Sequence, residues 1–252
     1  MLYLWKTVLL TGAASGMGLL SGKCFAKEGA NVVLVDFNEE SLNAAVKEIE
    51  EITPNVLGCH ADVRDYGQVK NCCDKAVDTF GSIDILIPFA GGSECRILKA
   101  HGDFKDLPIE VIDFGIDLNL KGALYFAHAA LNYMAKQNSG VIILIGSITG
   151  EVGSTSDVAY SASKSALMNG VVMSIAQCGA KYGVRACCVA PGPVLTRQGM
   201  AKMDTLVGRA ADPQELVDMV MYMASDKGSF VNGVTLLMDG GRSVMQNKSW
   251  SK

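Results

Sequence analysis

The sequence predicts an α/β protein, a doubly wound, seven-stranded parallel sheet with helices on both faces. Two observations carry this prediction. Short apolar segments alternate with longer helical segments along all 252 residues, the order of a sheet built from β-α-β units. The apolar segments also lack the polar alternation of a strand with one solvated face, as expected for parallel strands buried on both faces. Because one such sheet uses the whole length, we predict a single domain over residues 1–252.

Local signals divide the chain into its elements. Gly29 follows the first helical segment at the position where helices often stop. Leu42, Val46 and Ile49 recur at helical spacing in the second helical segment, which stops before Pro54. The predicted strands are 6–11, 31–36, 56–59, 83–88, 141–145, 184–190 and 234–238, and the predicted helices are 17–28, 39–51, 65–80, 108–137 with a break near 118–122, 158–182 and 213–225.

Two irregular segments, 90–107 and 192–212, directly follow predicted strands. Open α/β sheets bind ligands outside the carboxyl ends of their strands, so we expect these segments to wall the substrate site. Within the first segment, His101 lies in a loop with Glu94, Arg96 and Lys99. A solvated loop face is expected there, with a polar substrate contact as the alternative. Arg197 in the second is expected to form a surface salt bridge, with a substrate carboxylate as its alternative partner.

The composition excludes several classes of protein. Twenty-two basic and 26 acidic residues give a formal charge of −4 with no basic stripe, so no nucleic-acid partner is expected. Hydrophobic residues make up 49%, but no apolar run is long enough for a membrane span, so no membrane partner is expected. The eight cysteines form no C-x-x-C pair, which predicts reduced thiols in a cytoplasmic protein and no metal site.

A glycine-rich turn follows the first predicted strand, with Gly12, Gly16 and Gly18 at G-x-x-x-G-x-G spacing. Glycines let a phosphate approach the backbone, and the start of the next helix attracts a pyrophosphate. Asp36 ends the second strand, where a carboxylate can bind both ribose hydroxyls and repels a 2′-phosphate. No basic residue lies in the turn or directly after Asp36, so we predict NAD rather than NADP. An ordinary strand-end acid is the alternative interpretation of Asp36.

A serine, a tyrosine and a lysine are predicted to meet near the end of the fifth strand. Ser147 follows that strand, and Tyr160 and Lys164 lie four residues apart on one helix face. A phenol has an ordinary pKa of about 10, and a nearby ammonium lowers it. A hydroxyl that holds the substrate oxygen completes a site for general acid–base catalysis. Alone, the tyrosine–lysine pair would favour the simpler interpretation of a buried tyrosine beside a solvated lysine, and the glycine turn, Asp36 and Ser147 reverse this.

Together these motifs resemble the classical short-chain dehydrogenase/reductase family over essentially the whole chain, and the resemblance implies a Rossmann-type fold. By this resemblance Tyr160 is the acid/base, Lys164 lowers its pKa and binds the nicotinamide ribose, and Ser147 orients the substrate oxygen. Asn119 supports a bound water in a proton relay. The implied cofactor contacts are Gly12, Ser15, Gly16, Met17, Gly18, Asp36, Phe37, Asp62, Val63, Ala90, Gly91, Tyr160, Lys164, Pro191, Gly192, Val194 and Thr196.

The expected activity is therefore NAD-dependent interconversion of a small-molecule secondary alcohol and a ketone. A 3-oxoacyl-thioester reductase and a non-catalytic dinucleotide-binding regulatory protein are the alternatives. The family usually forms tetramers, so a homotetramer is expected, with a homodimer as the alternative.

The sequence departs from the family pattern in two places. Phe89 replaces a usual asparagine that ties the sheet together, and the segment 192–212 is short, which predicts an open substrate pocket.

Overall fold

The computed structural model describes residues 1–245, and these form a seven-stranded parallel sheet. The strands are β1 (Thr7–Thr11), β2 (Asn31–Asp36), β3 (Val56–His60), β4 (Ile85–Pro88), β5 (Gly140–Ile145), β6 (Val184–Pro191) and β7 (Thr235–Met238). Their spatial order is β3-β2-β1-β4-β5-β6-β7. The order reverses between β1 and β4, which creates a crevice at the carboxyl ends of these strands. The predicted Rossmann-type α/β fold is confirmed.

Helices cover both faces of the sheet. They are α1 (Gly16–Lys27), α2 (Glu39–Glu50), α3 (Tyr66–Phe80), α4 (Glu94–Ile97), α5 (Ile109–Ile116), α6 (Gly122–Gln137), α7 (Thr149–Val152), α8 (Val158–Ala166), α9 (Val172–Ala180) and α10 (Pro213–Ala224). Phe25 of α1 and Val220 of α10 belong to the core on one face. Phe126 of α6 and Val172 of α9 belong to the core on the other. Among the described residues, no helix is both long and apolar enough to cross a membrane.

Alternate residues of a strand enter opposite cores. In β1, Val8 and Leu10 pack into the core of α1 and α10, and Leu9 packs into the core of α6 and α9. All three side chains are fully buried. A strand covered on both faces has no face in contact with solvent and so needs no polar side chains, which explains the uninterrupted apolar runs in the sequence.

Two predicted long helices contain π-helical turns. The predicted break near 118–122 is such a turn, Asp117–Lys121, and it joins α5 to α6 without leaving the helical path. A second turn, Leu167–Val171, joins α8 to α9. The sequence therefore located the first irregularity correctly and mistook its kind. Turns of this π-helical kind often lie at functional sites. The first of the two, Asp117–Lys121, contains Asn119.

Smaller differences concern the ends of elements. The segments predicted to be irregular contain α4 and a 3₁₀ helix, Gln198–Lys202. Strand β4 begins at Ile85 rather than at residue 83. The reason is Gln137, whose side-chain amide accepts from the Ile83 N–H at 3.1 Å and donates to the Ile83 carbonyl oxygen at 2.9 Å. These bonds take the backbone groups that a longer strand would have used.

Candidate active site

The turn between β1 and α1 is shaped by its glycines. Gly12 has a φ of +60°, and a Cβ there would lie 2.8 Å from the backbone nitrogen of Ala90, so the position favours glycine. A Cβ at Gly18 would collide with the carbonyl oxygen of Gly12. Helix α1 begins at Gly16, and the Ser15 side chain does not cap it. The first-turn N–H groups therefore retain the partial positive charge that binds a pyrophosphate.

A cavity of about 390 Å³ opens beside this turn. Asp36 lies at its edge, where Oδ2 accepts from the Ala14 N–H and Oδ1 from the Asn38 N–H, each at 3.0 Å. Each carboxylate oxygen has a further lone pair that could accept a ribose hydroxyl. The predicted cofactor residues that line this cavity are Gly12, Asp36, Phe37, Asp62, Val63, Ala90 and Gly91.

Arg64 also lines this cavity, and the sequence reasoning did not consider it. Its Nε lies 3.0 Å from both carboxylate oxygens of Asp62, and this pairing holds the pKa of Asp62 below its usual range. The guanidinium also lies 5.0 Å from the centre of the Phe114 ring. Within residues 1–245, Asp36 has no ion-pair partner. The charge of Arg64 is thus matched by Asp62, while the charge of Asp36 is not matched by a basic residue.

A second cavity, of about 240 Å³, brings Ser147 and Tyr160 together at the carboxyl ends of β5 and β6. The Oγ of Ser147 accepts from the Thr149 hydroxyl at 2.9 Å and from the Thr149 N–H at 3.2 Å. Burial raises the pKa of Tyr160. Hydrogen bonding with Ser147 and the charges of Arg197 and Arg96 act in the opposite direction without cancelling it. The phenol is therefore protonated near neutral pH in the protein alone.

The ammonium of Lys164 lies over the face of the Tyr160 ring, with its Nζ 5.5 Å from the ring centre. The side chain is buried, and its Nζ donates to the carbonyl oxygen of Ile145 at 2.8 Å. Burial lowers the pKa of Lys164 to about 8. The expectation of a phenol with a lowered pKa is thus not met in the protein alone, because burial acts against the charged forms of both side chains.

Asn119 fixes the backbone beside Lys164. Its Oδ1 accepts from the Gly92 N–H at 2.7 Å, and its Nδ2 donates to the Gly92 and Gly115 carbonyl oxygens at 3.0 and 2.9 Å. A Cβ on Gly91 would lie 2.6 Å from Asn119 Oδ1 and 3.6 Å from Lys164 Nζ. The side chains of Asn119 and Lys164 therefore flank Gly91, which lines the first cavity, while the next residue, Gly92, lines the second.

A buried glutamate caps the helix that carries the tyrosine. Glu94 is 1% exposed, and its carboxylate accepts from the N–H of Ala159 at 3.0 Å and from the N–H of Tyr160 at 3.1 Å. Asp157, the residue at the usual capping position, makes no capping bond. Glu94 therefore lies beneath the site, rather than on the solvated loop face expected from the sequence. No local signal could have revealed this contact, because 65 residues separate Glu94 from Ala159.

The segment after β6 lines one side of the second cavity. A Cβ at Gly192 would lie 2.6 Å from the Asp239 Cα, so the chain passes close to the loop after β7. The predicted cofactor residues on this side are Met17, Pro191, Gly192, Val194 and Thr196, and all of them line the cavity.

The ends of β1 and β4 are held together by hydrogen bonds even though Phe89 stands in place of the usual asparagine. The Phe89 N–H donates to the Thr11 carbonyl oxygen at 3.1 Å, and the Ala90 N–H donates to the Thr11 hydroxyl at 3.1 Å. The Thr11 hydroxyl and backbone thus hold the ends of β1 and β4 together without the usual asparagine.

The parallel sheet, the glycine turn and the two cavities at the carboxyl ends of the strands are typical of a nicotinamide dinucleotide-binding oxidoreductase. A family model described as short chain dehydrogenase matches residues 6–206, and the chain belongs to this family. Oxidoreductase UcpA of Salmonella typhimurium is 34% identical, over 97% of each chain. The 3-oxoacyl-[acyl-carrier-protein] reductase FabG of Thermotoga maritima is 32% identical, over 94% of this chain and 97% of its own. The crystal structure of an NAD⁺-bound xylitol dehydrogenase matches with a TM-score of 0.87 at 26% identity, covering 95% of this chain and 99% of that one.

Proposed function

We propose that the protein is an NAD(H)-dependent oxidoreductase that interconverts a secondary alcohol and a ketone. One observation carries the proposal: Ser147 and Tyr160 share one cavity, and the buried ammonium of Lys164 lies behind the phenol ring. This reaction requires three groups of the protein. They are a hydroxyl that orients the substrate oxygen, a phenol that exchanges a proton with it, and a cation beside the phenol.

NAD is the proposed cofactor, and it supplies the hydride acceptor or donor. The residues present fit it, because a Cβ at Gly12 or Gly18 would fill the turn, and Asp36 faces the adjoining cavity without a basic partner among residues 1–245. An unmatched carboxylate accepts ribose hydroxyls and repels a 2′-phosphate. Ser15, Gly16 and the start of α1 would hold the pyrophosphate. The residues that would hold the adenosine are Asp36, Phe37, Asp62 and Val63, and those that would hold the nicotinamide half are Met17, Ala90, Gly91, Pro191, Gly192, Val194 and Thr196.

The chain's own residues handle the proton. In the reductive direction, the protonated phenol of Tyr160 donates to the ketone oxygen while the Ser147 hydroxyl holds that oxygen. In the oxidative direction, Tyr160 must first lose its proton, and its phenolate then takes the hydroxyl proton of the alcohol. The positive charge of Lys164 favours the phenolate form, and Asn119 keeps the neighbouring backbone in place.

Two alternative functions remain distinct from this one. The relationship to FabG favours a 3-oxoacyl-thioester reductase, but such enzymes commonly use NADPH, which the charge of Asp36 opposes. A non-catalytic regulatory protein would bind the dinucleotide and not react. A screen for NAD reduction across polyols, steroid-like alcohols and hydroxy acids separates these functions when it is run beside NADPH oxidation with acyl thioesters and a titration of NADH binding. NADH formation supports the proposal, NADPH-specific reduction of acyl thioesters supports the first alternative, and NADH binding without any turnover supports the second.

We further propose that the protein is a cytoplasmic homotetramer, or otherwise a homodimer. Exposed apolar side chains near the edge strand β7 support an assembly: Phe230 is fully exposed, and Tyr222 and Leu236 are partly exposed. Sedimentation velocity tests the assembly, because a monomer at micromolar concentration would contradict it.

A further inference from the structure

Two arginines line the second cavity, and neither has an ion-pair partner in the described part of the chain. Arg96 lies on α4 and Arg197 immediately precedes the 3₁₀ helix Gln198–Lys202, and both line the cavity that contains Tyr160. Within residues 1–245, neither guanidinium forms an ion pair or a side-chain hydrogen bond. Other arginines are engaged, namely Arg64 with Asp62, Arg185 with the Val231 carbonyl, Arg209 with Glu215 and Arg242 with the Asp204 carbonyl.

Both guanidinium groups lie near the reacting end of the cavity. A Cβ on Gly92 would lie 2.7 Å from Nη2 of Arg96, so this guanidinium lies against the cavity wall. The charges of both arginines are close enough to act on the phenol of Tyr160, whose pKa they lower against the effect of burial. Arg96, Arg197 and Tyr160 line one cavity of about 240 Å³, so an anion that the arginines bind there would share the cavity with the oxygen that exchanges the proton.

The acidic residues nearby do not neutralise this charge. Asp157 lines the cavity, but its carboxylate accepts from the Ser93 hydroxyl at 2.5 Å and from the Ser156 hydroxyl at 3.4 Å, and it makes no ion pair with either arginine. The carboxylate of Glu94 is occupied by backbone N–H groups beneath the cavity. The lining therefore carries two positive groups against one negative group.

We propose that Arg96 and Arg197 bind a carboxylate of the substrate, so that the substrate is a short hydroxy acid and the product the corresponding oxo acid. The proposal rests on the proposed function, because it names the substrate class of the same cavity. A planar guanidinium matches a carboxylate with two parallel hydrogen bonds. Met200 and Met203 supply an apolar wall for the carbon chain. In the reaction Tyr160 first loses its own proton to solvent, and its phenolate then takes the hydroxyl proton as the carbinol C–H bond breaks. NAD⁺, when bound, would supply the acceptor for the hydride, and the carboxylate is unchanged.

The test compares acids with their neutral esters. The probes are 3-hydroxybutyrate, 4-hydroxypentanoate and 5-hydroxyhexanoate, each against its methyl ester, with NAD⁺ and the full-length protein. For at least one pair, the wild-type kcat/KM is expected to be about tenfold or more higher for the acid, the size of one charged hydrogen bond. In the Arg96→Gln/Arg197→Gln double variant this preference should disappear through a higher KM for the acid. Loss of the two charges also removes their effect on the pKa of Tyr160, but that change acts on the acid and on its ester alike, so the ratio of the two kcat/KM values is the readout. Lys202→Gln, which removes a positive charge from the same segment outside the cavity lining, is the matched control and should behave as wild type.

The outcomes separate the proposal from the function on which it rests. Oxidation of the esters without an acid preference, or a preference that survives in the double variant, overturns the carboxylate site and leaves the proposed function standing. A higher KM for NAD⁺ with the acid preference intact assigns the arginines to the cofactor and also overturns it. If no probe is oxidised, calorimetric titration of the same acids into the NADH-loaded protein decides. Binding that the double variant loses supports the site, and an absence of binding rejects it.

Discussion

Replacement of Lys164 by methionine should stabilise the protein while removing its function. Lys164 is only 4% exposed, and its ammonium has a carbonyl oxygen as its hydrogen-bond partner and no carboxylate partner among residues 1–245. Burial therefore lowers its pKa from 10.5 to about 8. Because the folded protein holds this proton less tightly than the unfolded chain, the charged lysine reduces the free energy of unfolding.

The size of the effect follows from the two pKa values. At about 1.4 kcal/mol for each pKa unit, the cost of the buried charge is about 3 kcal/mol below pH 8. Loss of the hydrogen bond to Ile145 returns about 1 kcal/mol of this, so Lys164→Met should raise the free energy of unfolding by about 2 kcal/mol at pH 7. Between pH 8 and 10.5 the unfolded wild-type chain binds more protons than the folded one. The wild type therefore gains stability there, and the advantage of the variant should shrink by about 1 kcal/mol between pH 7 and pH 9.

The assay is urea unfolding of the wild type and the variant at pH 7 and pH 9, at one protein concentration so that assembly affects both equally. Lys47→Met, at an exposed position on α2, is the matched control and should change stability by no more than about 0.5 kcal/mol. A Lys164→Met protein that is less stable than the wild type at pH 7, or whose advantage does not change with pH, would refute the assignment of a buried, unpaired ammonium.

Three further substitutions test other parts of the site. Asp36→Ala should lower the preference for NAD over NADP, measured as the ratio of kcat/KM values, and an unchanged ratio would show that Asp36 does not bind the ribose. Glu94→Ala leaves the N–H groups that begin α8 unpaired, so it should cost about 1–3 kcal/mol of stability in urea unfolding and lower kcat, whereas Glu94→Gln should retain most of both. A wild-type kcat in Glu94→Ala would contradict the positioning role. Gly12→Ala forces a Cβ against the Ala90 backbone at positive φ, so it should cost at least about 1 kcal/mol and weaken NADH binding by fluorescence titration, and wild-type binding would count against the predicted turn.

The sequence was sufficient to predict the sheet and to locate the candidate motif residues along the chain. Apolar runs such as the one in β1 reveal strands because both faces of this sheet are covered, and Gly12, Asp36 and Tyr160 follow a spacing that a single chain displays. The structure adds interactions between residues that are distant in sequence. Glu94 reaches α8 across more than 60 residues, and Arg64 comes to the cavity of Asp36 from the loop after β3.

The salt bridge expected for Arg197 is absent among residues 1–245. An ion pair needs an acid placed within a few ångströms, and the path of the segment after β6 decides this placement. Sequence spacing does not fix that path. The same limit applies to Tyr160. The Y-x-x-x-K spacing indicates that a lysine is near. It does not indicate that burial acts against the phenolate form of Tyr160 and the ammonium form of Lys164.

The most direct test of the central claim is the turnover of Tyr160→Phe with NAD and an alcohol that the wild type oxidises. We expect kcat to fall by about 100-fold or more, since proton transfer by a positioned side chain contributes at least this much. NADH binding, measured by fluorescence on the same protein, should remain within a few-fold of the wild type. Near-normal turnover in the phenylalanine variant would contradict the assignment of Tyr160 as the acid/base.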